Sequence, residues 1–165
     1  MARVYLLLGG NLGDKPAIFA GAKTKLGDKL GKITKQSAVY ETDPWGFESE
    51  DIFWNQVLEL ETSLSPEEVL EQTQQIEKEL GRIRHKNQYE SRLMDIDILF
   101  YDEQIVQQRN LTIPHPRIQE RKFTLVPLCE IAPALVHPVL GKTTAQLLAE
   151  CSDPLKVTRI SECKS

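Results

Sequence analysis

The chain lacks several features that assign proteins to specialised classes. Its three cysteines are an odd number without tight spacing, so neither a disulfide framework nor a cysteine metal site is indicated. The apolar run at residues 4–8 is too short for a signal peptide or for a membrane span. These absences lead us to expect a cytoplasmic protein that does not interact with a membrane.

Basic residues are also in short supply. The chain has 20 Lys and Arg against 24 Asp and Glu, a net charge of −4, whereas a general nucleic-acid binder needs a basic surface. We therefore expect no nucleic-acid partner, although a local basic pocket for a small anion is compatible with this balance. There is no repeat, low-complexity segment or linker, so we expect a single domain over residues 1–165. We expect it to act as a monomer.

Hydrophobic periodicity predicts alternating strands and helices. The clearest helix, residues 66–80, begins with Ser65 as its N-cap and Glu68 three positions later, which is a capping box. Asp14 is placed to cap an earlier helix over residues 15–26. Strands are predicted at residues 4–8, 33–41, 53–61, 94–101 and 156–160, with short helices near residues 125–131 and 144–151.

The order of these elements is βαββαβ followed by C-terminal additions. That order predicts an α+β fold, specifically a ferredoxin-like sandwich in which helices pack on one face of a mainly antiparallel sheet. The glycine-containing segment at residues 9–13 follows the first strand and precedes a helix. It matches neither common phosphate-binding glycine pattern, so we interpret it as a tight turn.

Asp95 and Asp97 are the first candidates for chemistry. Residues two apart on a strand point to the same face, so the two carboxylates stand side by side, about 7 Å apart at their origins. Two like charges this close cost stability, and a hard divalent cation such as magnesium removes that cost. The pair indicates a metal site or, alternatively, two solvated acids on an open strand. The alternating residues are expected to face the core: Met94, Ile96, Ile98 and Phe100.

A cluster of cationic side chains lies on the loop directly before this strand. Guanidinium groups recognise phosphate oxygens in a fixed fork geometry, so such a loop beside a metal site can clamp a polyphosphate. The alternative is an ordinary charged surface loop. The cluster consists of Arg82, Arg84, His85, Lys86 and Arg92.

Two further segments are candidates for binding. His115 lies between two prolines, which can hold a side chain rigidly, although a lone histidine is more often structural. Residues 42–46, together with Phe53 and Asn55, combine aromatic rings with an amide. That combination suits a flat heteroaromatic ligand, or else contributes ordinary core packing, which is our interpretation for Trp54.

Taken in order, these motifs resemble the 6-hydroxymethyl-7,8-dihydropterin pyrophosphokinase family of folate biosynthesis, over about residues 3–138. The most specific likeness is Arg92-x-x-Asp95-Ile-Asp97, followed by the Pro-His pair at His115. The resemblance implies transfer of diphosphate from ATP to a reduced pterin alcohol. In that reaction the hydroxymethyl oxygen attacks the β-phosphorus and AMP leaves.

The resemblance also implies roles for individual residues. Two magnesium ions are expected on Asp95 and Asp97. The expected catalytic residues are Arg82, Arg92 and Asp97. The expected ATP contacts are Gln74, Glu77, Arg84, Arg92, His115 and Arg121, with the backbone of Ile98 and Thr112 near the adenine. The expected pterin contacts are Thr42 and Asn55 at the ring edge and Phe123 with Trp45 or Phe53 on its faces. Three positions differ from residues frequent in the family, namely Gly10, Tyr89 and Pro116.

Two other functions share individual features with this sequence. A metal-dependent nucleotidyltransferase carries a glycine turn shortly before its Asp-x-Asp motif, whereas Gly10 lies about 85 residues before Asp95 here. An RNA-binding module can also be built on a ferredoxin-like sheet, but the acidic balance of the chain disfavours it.

Overall fold

A computed structural model of the chain describes residues 1–11, 13–42, 52–80 and 94–160. The strands are β1 Ala2–Gly10, β2 Gly31–Gln36, β3 Tyr40–Thr42, β4 Phe53–Thr62, β5 Asp95–Tyr101, β6 Val106–Gln108, β7 Leu111–Ile113 and β8 Val157–Arg159. The helices are α1 Lys15–Lys29, α2 Pro66–Glu79, α3 Lys122–Ile131 and α4 Thr144–Glu150, with a short 3₁₀ helix at Ile118–Glu120.

The main sheet is antiparallel at every strand pairing in the described ranges. Its order is β5-β1-β4-β3-β8, and β2 pairs with β4 beside β3. A separate hairpin joins β6 to β7. The predicted α+β class with a mainly antiparallel sheet is therefore confirmed. Within the described part of the chain, no helix is both long enough and apolar enough to cross a membrane.

Helices cover both faces of this sheet. Helices α1 and α2 pack on the face that carries Val4, Leu6 and Leu8, and we name it the α1/α2 face. Helices α3 and α4 pack on the opposite face with Tyr5 and Leu7, and we name it the α3/α4 face. The two helices of the predicted βαββαβ order, α1 and α2, thus pack on one face as expected, whereas α3 and α4 of the C-terminal additions do not follow that expectation. Strand β1 is apolar on both sides, and each side must be removed from water.

The local start signals of the helices are confirmed. Ser65 and Glu68 form the predicted capping box, with N···O distances of 3.2 and 2.9 Å. Asp14 caps α1 by accepting a hydrogen bond from the Ala17 amide at 3.2 Å. The predicted strand at residues 33–41 is instead two strands, β2 and β3. Between them the Ser37 hydroxyl accepts the Val57 amide at 3.0 Å, in place of a backbone carbonyl.

A β-bulge at Leu99 changes which side chains of β5 share a face. Leu6 is opposite Ile98 and Tyr5 is opposite Phe100, so Leu99 is an extra residue in β5. Phe100 consequently lies in the α3/α4 core, and its predicted placement with the other core residues of β5 is wrong. The residues before the bulge lie on the α1/α2 face as predicted: Met94, Ile96 and Ile98.

Candidate active site

The proposed metal and pterin residues lie on the α3/α4 face at one end of the sheet. Asp97 is opposite Leu7, and Asp95 is opposite Gly9, which in turn is opposite Asn55 of β4. Directly opposed residues of antiparallel strands share a face. Asp95, Gly9 and Asn55 therefore form a row across three strands, on the side where Leu7 packs under α3 and α4.

Asp95 and Asp97 are both partly exposed, and both have interaction partners. Within the described ranges no three His, Cys, Asp or Glu side chains form a group that could hold a metal ion by themselves. Magnesium is usually held by one or two carboxylates plus the phosphate oxygens of a substrate. Two accessible carboxylates on one strand face fit such a shared site.

Positive charge adjoins these carboxylates. The His115 amide donates to the Leu99 carbonyl at 3.1 Å, which anchors the residue to β5. Burial lowers the pKa of the His115 imidazole, the charge of Asp97 raises it in part, and Arg121 and Arg117 lower it further. The Arg117 amide donates to His115 Nδ1 at 3.2 Å, so the neutral ring carries its proton on Nε2.

The residues expected at the pterin edge are buried together. Thr42 and Asn55 are each 5% exposed, and the Asn55 Nδ2 amide donates to the Thr42 hydroxyl at 3.5 Å. The predicted turn over residues 9–13 is wrong for Gly9 and Gly10, which are the last two residues of β1. A Cβ at Gly9 would sit 3.2 Å from Asn55 Oδ1. Gly9 therefore lets β1 pass close to the buried Asn55 amide, a role that the glycine inside a strand could have indicated.

The aromatic residues separate into two groups. Phe53 is two residues from Asn55 on β4 and shares its face, while Phe123 packs at the margin of the α3/α4 core. The Arg121 guanidinium carbon lies 5.5 Å from the centre of the Phe123 ring. Trp54 lies on the other face, at the edge of the α1/α2 core, which agrees with its interpretation as a core residue.

The residues expected at the nucleotide lie along the edge of β5 that faces away from β1. Glu77 is 6% exposed, and its Oε2 accepts the Ile96 amide at 2.7 Å. Because backbone groups alternate along a strand, the amide and carbonyl of Ile98 face the same edge. Gln74 is exposed one turn before Glu77, and Thr112 belongs to β7, which lies next to β5.

Four of the expected site residues lie outside the described residues: Trp45, Arg82, Arg84 and Arg92. Their roles stay predictions. The described site consists of the row on the α3/α4 face, the cationic group at His115 and Arg121, and the edge of β5.

Comparison with known families matches residues 5–133 to 7,8-dihydro-6-hydroxymethylpterin-pyrophosphokinase (HPPK). The chain belongs to the HPPK family. A relative from Methylorubrum extorquens is 42% identical over 161 residues, covering 97% of this chain and 99% of the relative. One from Aquifex aeolicus is 41% identical over 150 residues, covering 91% and 92%. Both are named 2-amino-4-hydroxy-6-hydroxymethyldihydropteridine pyrophosphokinase, and the resemblance drawn from the motifs is confirmed.

HPPK sequences also occur inside longer chains. The folic acid synthesis protein fol1 of Pneumocystis carinii is 41% identical over 150 residues, and this chain spans 20% of its length. The crystal structure of Plasmodium falciparum HPPK-DHPS with SDX-DHP matches with a TM-score of 0.71 at 19% identity, covering 91% of this chain and 43% of that one. At that identity the likeness shows the fold alone.

Proposed function

We propose that this chain transfers diphosphate from ATP to the hydroxymethyl group of 6-hydroxymethyl-7,8-dihydropterin in folate biosynthesis, releasing AMP. Membership of the HPPK family supports the reaction. The assignment of the reaction to specific residues rests on side chains that lie close together on the α3/α4 face. There Asp97 lies near His115 and Arg121, and the row of Asp95 continues through Gly9 to Asn55.

The reaction exchanges one phosphorus–oxygen bond for another. The hydroxymethyl oxygen attacks the β-phosphorus, and its hydroxyl proton is released to solvent. The bond from that phosphorus to the oxygen bridging the α-phosphate breaks, so this oxygen leaves with AMP. Asp95 and Asp97 would hold two magnesium ions. When bound, magnesium stabilises the charge on the attacking and leaving oxygens and on the phosphate.

His115 and Arg121 contact the phosphates in this proposal. Neutral His115 presents an Nε2–H to a phosphate oxygen, because its Nδ1 accepts a hydrogen bond from the Arg117 amide. Arg121 adds a positive charge and at the same time lies over the Phe123 ring. The contact between Arg121 and Phe123 thereby brings the phosphate end of the site next to the pterin end, as in-line attack requires.

The pterin and the adenine occupy neighbouring regions in this proposal. Asn55 and Thr42 read the polar edge of the pterin, and Gly9 gives the ring access to the amide. The ring stacks between Phe123 and an aromatic from the pair Phe53 and Trp45. The adenine lies at the edge of β5: Gln74 and Glu77 line its pocket, and the backbone of Ile98 and Thr112 faces it. Arg82 and Arg92 would act as catalytic residues at the phosphates, and Arg84 would contact the phosphates.

We also propose that residues 1–165 form one ferredoxin-like domain that works as a monomer in the cytoplasm. Support for the layout comes from the order β5-β1-β4-β2 of the four strands connected through α1 and α2. Sedimentation velocity tests the monomer, since a concentration-dependent increase in sedimentation coefficient would contradict it.

One product analysis tests the reaction. The protein is incubated with ATP, magnesium and the reduced pterin alcohol, and the products are separated and identified by mass. We expect AMP and a diphosphorylated pterin in equal amounts, and none without magnesium. Free pyrophosphate as product would instead support a nucleotidyltransferase. RNA binding without magnesium-dependent turnover would support the binding module.

A further inference from the structure

Glu130 near the end of α3 connects this helix to the strand beside the pterin residues. A single oxygen, Oε1, accepts the Tyr40 hydroxyl at 2.7 Å and the Ala38 amide at 3.1 Å. Tyr40 is 7% exposed and lies directly opposite Asn55 in the pairing of β3 with β4. The carboxylate thus joins α3 to the strand residue adjacent to the amide of the proposed pterin edge.

Helix α3 lacks one backbone hydrogen bond of its own, although the amides of Thr124 and Leu125 both donate to the Arg121 carbonyl, at 3.0 and 3.1 Å. Residue 127 is a proline, which has no amide hydrogen to donate to the carbonyl of Phe123 four residues earlier. At the other side of that turn, the Lys122 amide donates to Asp153 Oδ2 at 3.0 Å. The turn that carries Phe123 is therefore held partly by contacts outside the helix.

We propose that Tyr40 and Glu130 are positioning residues for the pterin, a proposal that rests on the proposed function. Their hydrogen bond sets the separation between the wall of the pocket that carries Asn55 and the wall that carries Phe123. Neither residue contacts the substrate in this proposal. A flat ring stacked between two walls binds well only over a narrow range of separations, since dispersion contacts weaken within an ångström.

The chemical groups of Tyr40 and Glu130 favour a stable hydrogen bond. Burial, reinforced by the bond to Glu130, raises the pKa of Tyr40 to about 12, so the hydroxyl keeps its proton in neutral solution. A hydroxyl donor and an ionised acceptor form one of the stronger and shorter hydrogen bonds in proteins.

A second tyrosine provides a matched control. The Tyr5 hydroxyl donates to Glu59 Oε2 at 2.5 Å, on the same face of the sheet. Tyr5 and Glu59 are directly opposed in β1 and β4, so their bond lies within the sheet and does not involve α3. Their row is four residues from the row of Asn55, about 13 Å along the strand. Replacing either tyrosine by phenylalanine removes one buried hydroxyl and one bond to a carboxylate.

The experiment measures binding of 6-hydroxymethyl-7,8-dihydropterin by calorimetry, with the protein saturated with magnesium and α,β-methylene ATP. The methylene group replaces the oxygen whose bond would break, so no transfer occurs. We expect Tyr40→Phe to raise the pterin Kd about tenfold and to leave the Kd of the ATP analogue within about twofold. Tyr5→Phe should leave both constants within about twofold. Melting curves establish that each variant is folded.

Two substitutions of Glu130 complete the design. Glu130→Gln keeps a carbonyl oxygen that can accept from Tyr40, and it should bind the pterin within about threefold of wild type. Glu130→Ala should weaken pterin binding as much as Tyr40→Phe does. Because Glu130 is exposed, this variant replaces Tyr40→Phe in the experiment if Tyr40→Phe does not fold.

Equal pterin Kd values for Tyr40→Phe and Tyr5→Phe would overturn the proposal, and so would Glu130→Gln binding as weakly as Glu130→Ala. A wild-type protein that binds no pterin would overturn the proposed function and this inference together. Normal wild-type binding combined with equal tyrosine variants would overturn the inference alone.

Discussion

Glu77 should stabilise the strand that carries the two aspartates, and its replacement by alanine measures how much. Its Oε2 accepts the amide of Ile96, the residue between Asp95 and Asp97, at 2.7 Å on the edge of the sheet. Hydrogen bonds to charged groups contribute about 1.5–3 kcal/mol, and burying the charge offsets part of this. We expect Glu77→Ala to lower the free energy of unfolding by about 2 kcal/mol and Tm by about 4–8 °C.

Urea unfolding gives the change in stability, and amide hydrogen exchange locates it. The Ile96 amide should lose protection in Glu77→Ala by a larger factor than the amides of β1, which keep their partners on both sides. Glu71→Ala is the matched control, because Glu71 lies on the same helix and is exposed. It should unfold at nearly the wild-type urea concentration.

The alternative is that Glu77 acts only on bound nucleotide. In that case Glu77→Ala would unfold at the same urea concentration as Glu71→Ala, and the exchange rate at Ile96 would not change. Either result would refute the argument from the hydrogen bond. Glu77→Gln separates acceptor from charge: it retains an acceptor oxygen and should lose less stability than the alanine variant.

The remaining predictions concern the site and its response to pH. Asp97→Ala should abolish AMP release while leaving the fold intact by circular dichroism, and near-normal turnover would contradict the metal role. Arg92→Ala should slow single-turnover transfer more than it weakens ATP binding, so an unchanged single-turnover rate would contradict it. Asn55→Ala should raise the KM for the pterin and leave the KM for ATP unchanged. Equal effects on the two KM values would contradict the assignment of Asn55 to the pterin edge. Burial lowers the pKa of His115 and His137 below the ordinary 6.5, so the unfolded chain binds more protons in mild acid. The free energy of unfolding measured in urea should therefore fall as the pH drops through 6.5, and His115→Asn should reduce that dependence. An unchanged pH dependence in His115→Asn would refute the contribution of His115.

Local sequence patterns were sufficient to predict several features of the fold and of the site. The Ser65 capping box identified the start of α2, and alternation along β5 placed Asp95 and Asp97 on one face. The order and spacing of the chemical motifs were sufficient to indicate the family. These features depend on neighbours within a few residues, or on the order of motifs along the chain, so the sequence carries them directly.

Contacts between distant residues were decided by the tertiary structure. The bulge at Leu99 reverses the alternation and moves Phe100 to the other core, because register depends on the pairing with β1. Gly9, the first residue of the predicted turn, is strand because it pairs with Asn55 and with Asp95. The bond from Tyr40 to Glu130 joins residues 90 positions apart.

The sequence by itself thus determined the helix caps, the shared face of Asp95 and Asp97, and the membership of the HPPK family. Only the tertiary structure decided that helices cover both faces of the sheet, that Gly9 lies close to the Asn55 amide, and that Glu77 binds the edge of β5. The physical reason is that periodicity and capping are properties of a short segment. Which strands pair, in what register, and what packs above them depends on the free energy of the whole chain.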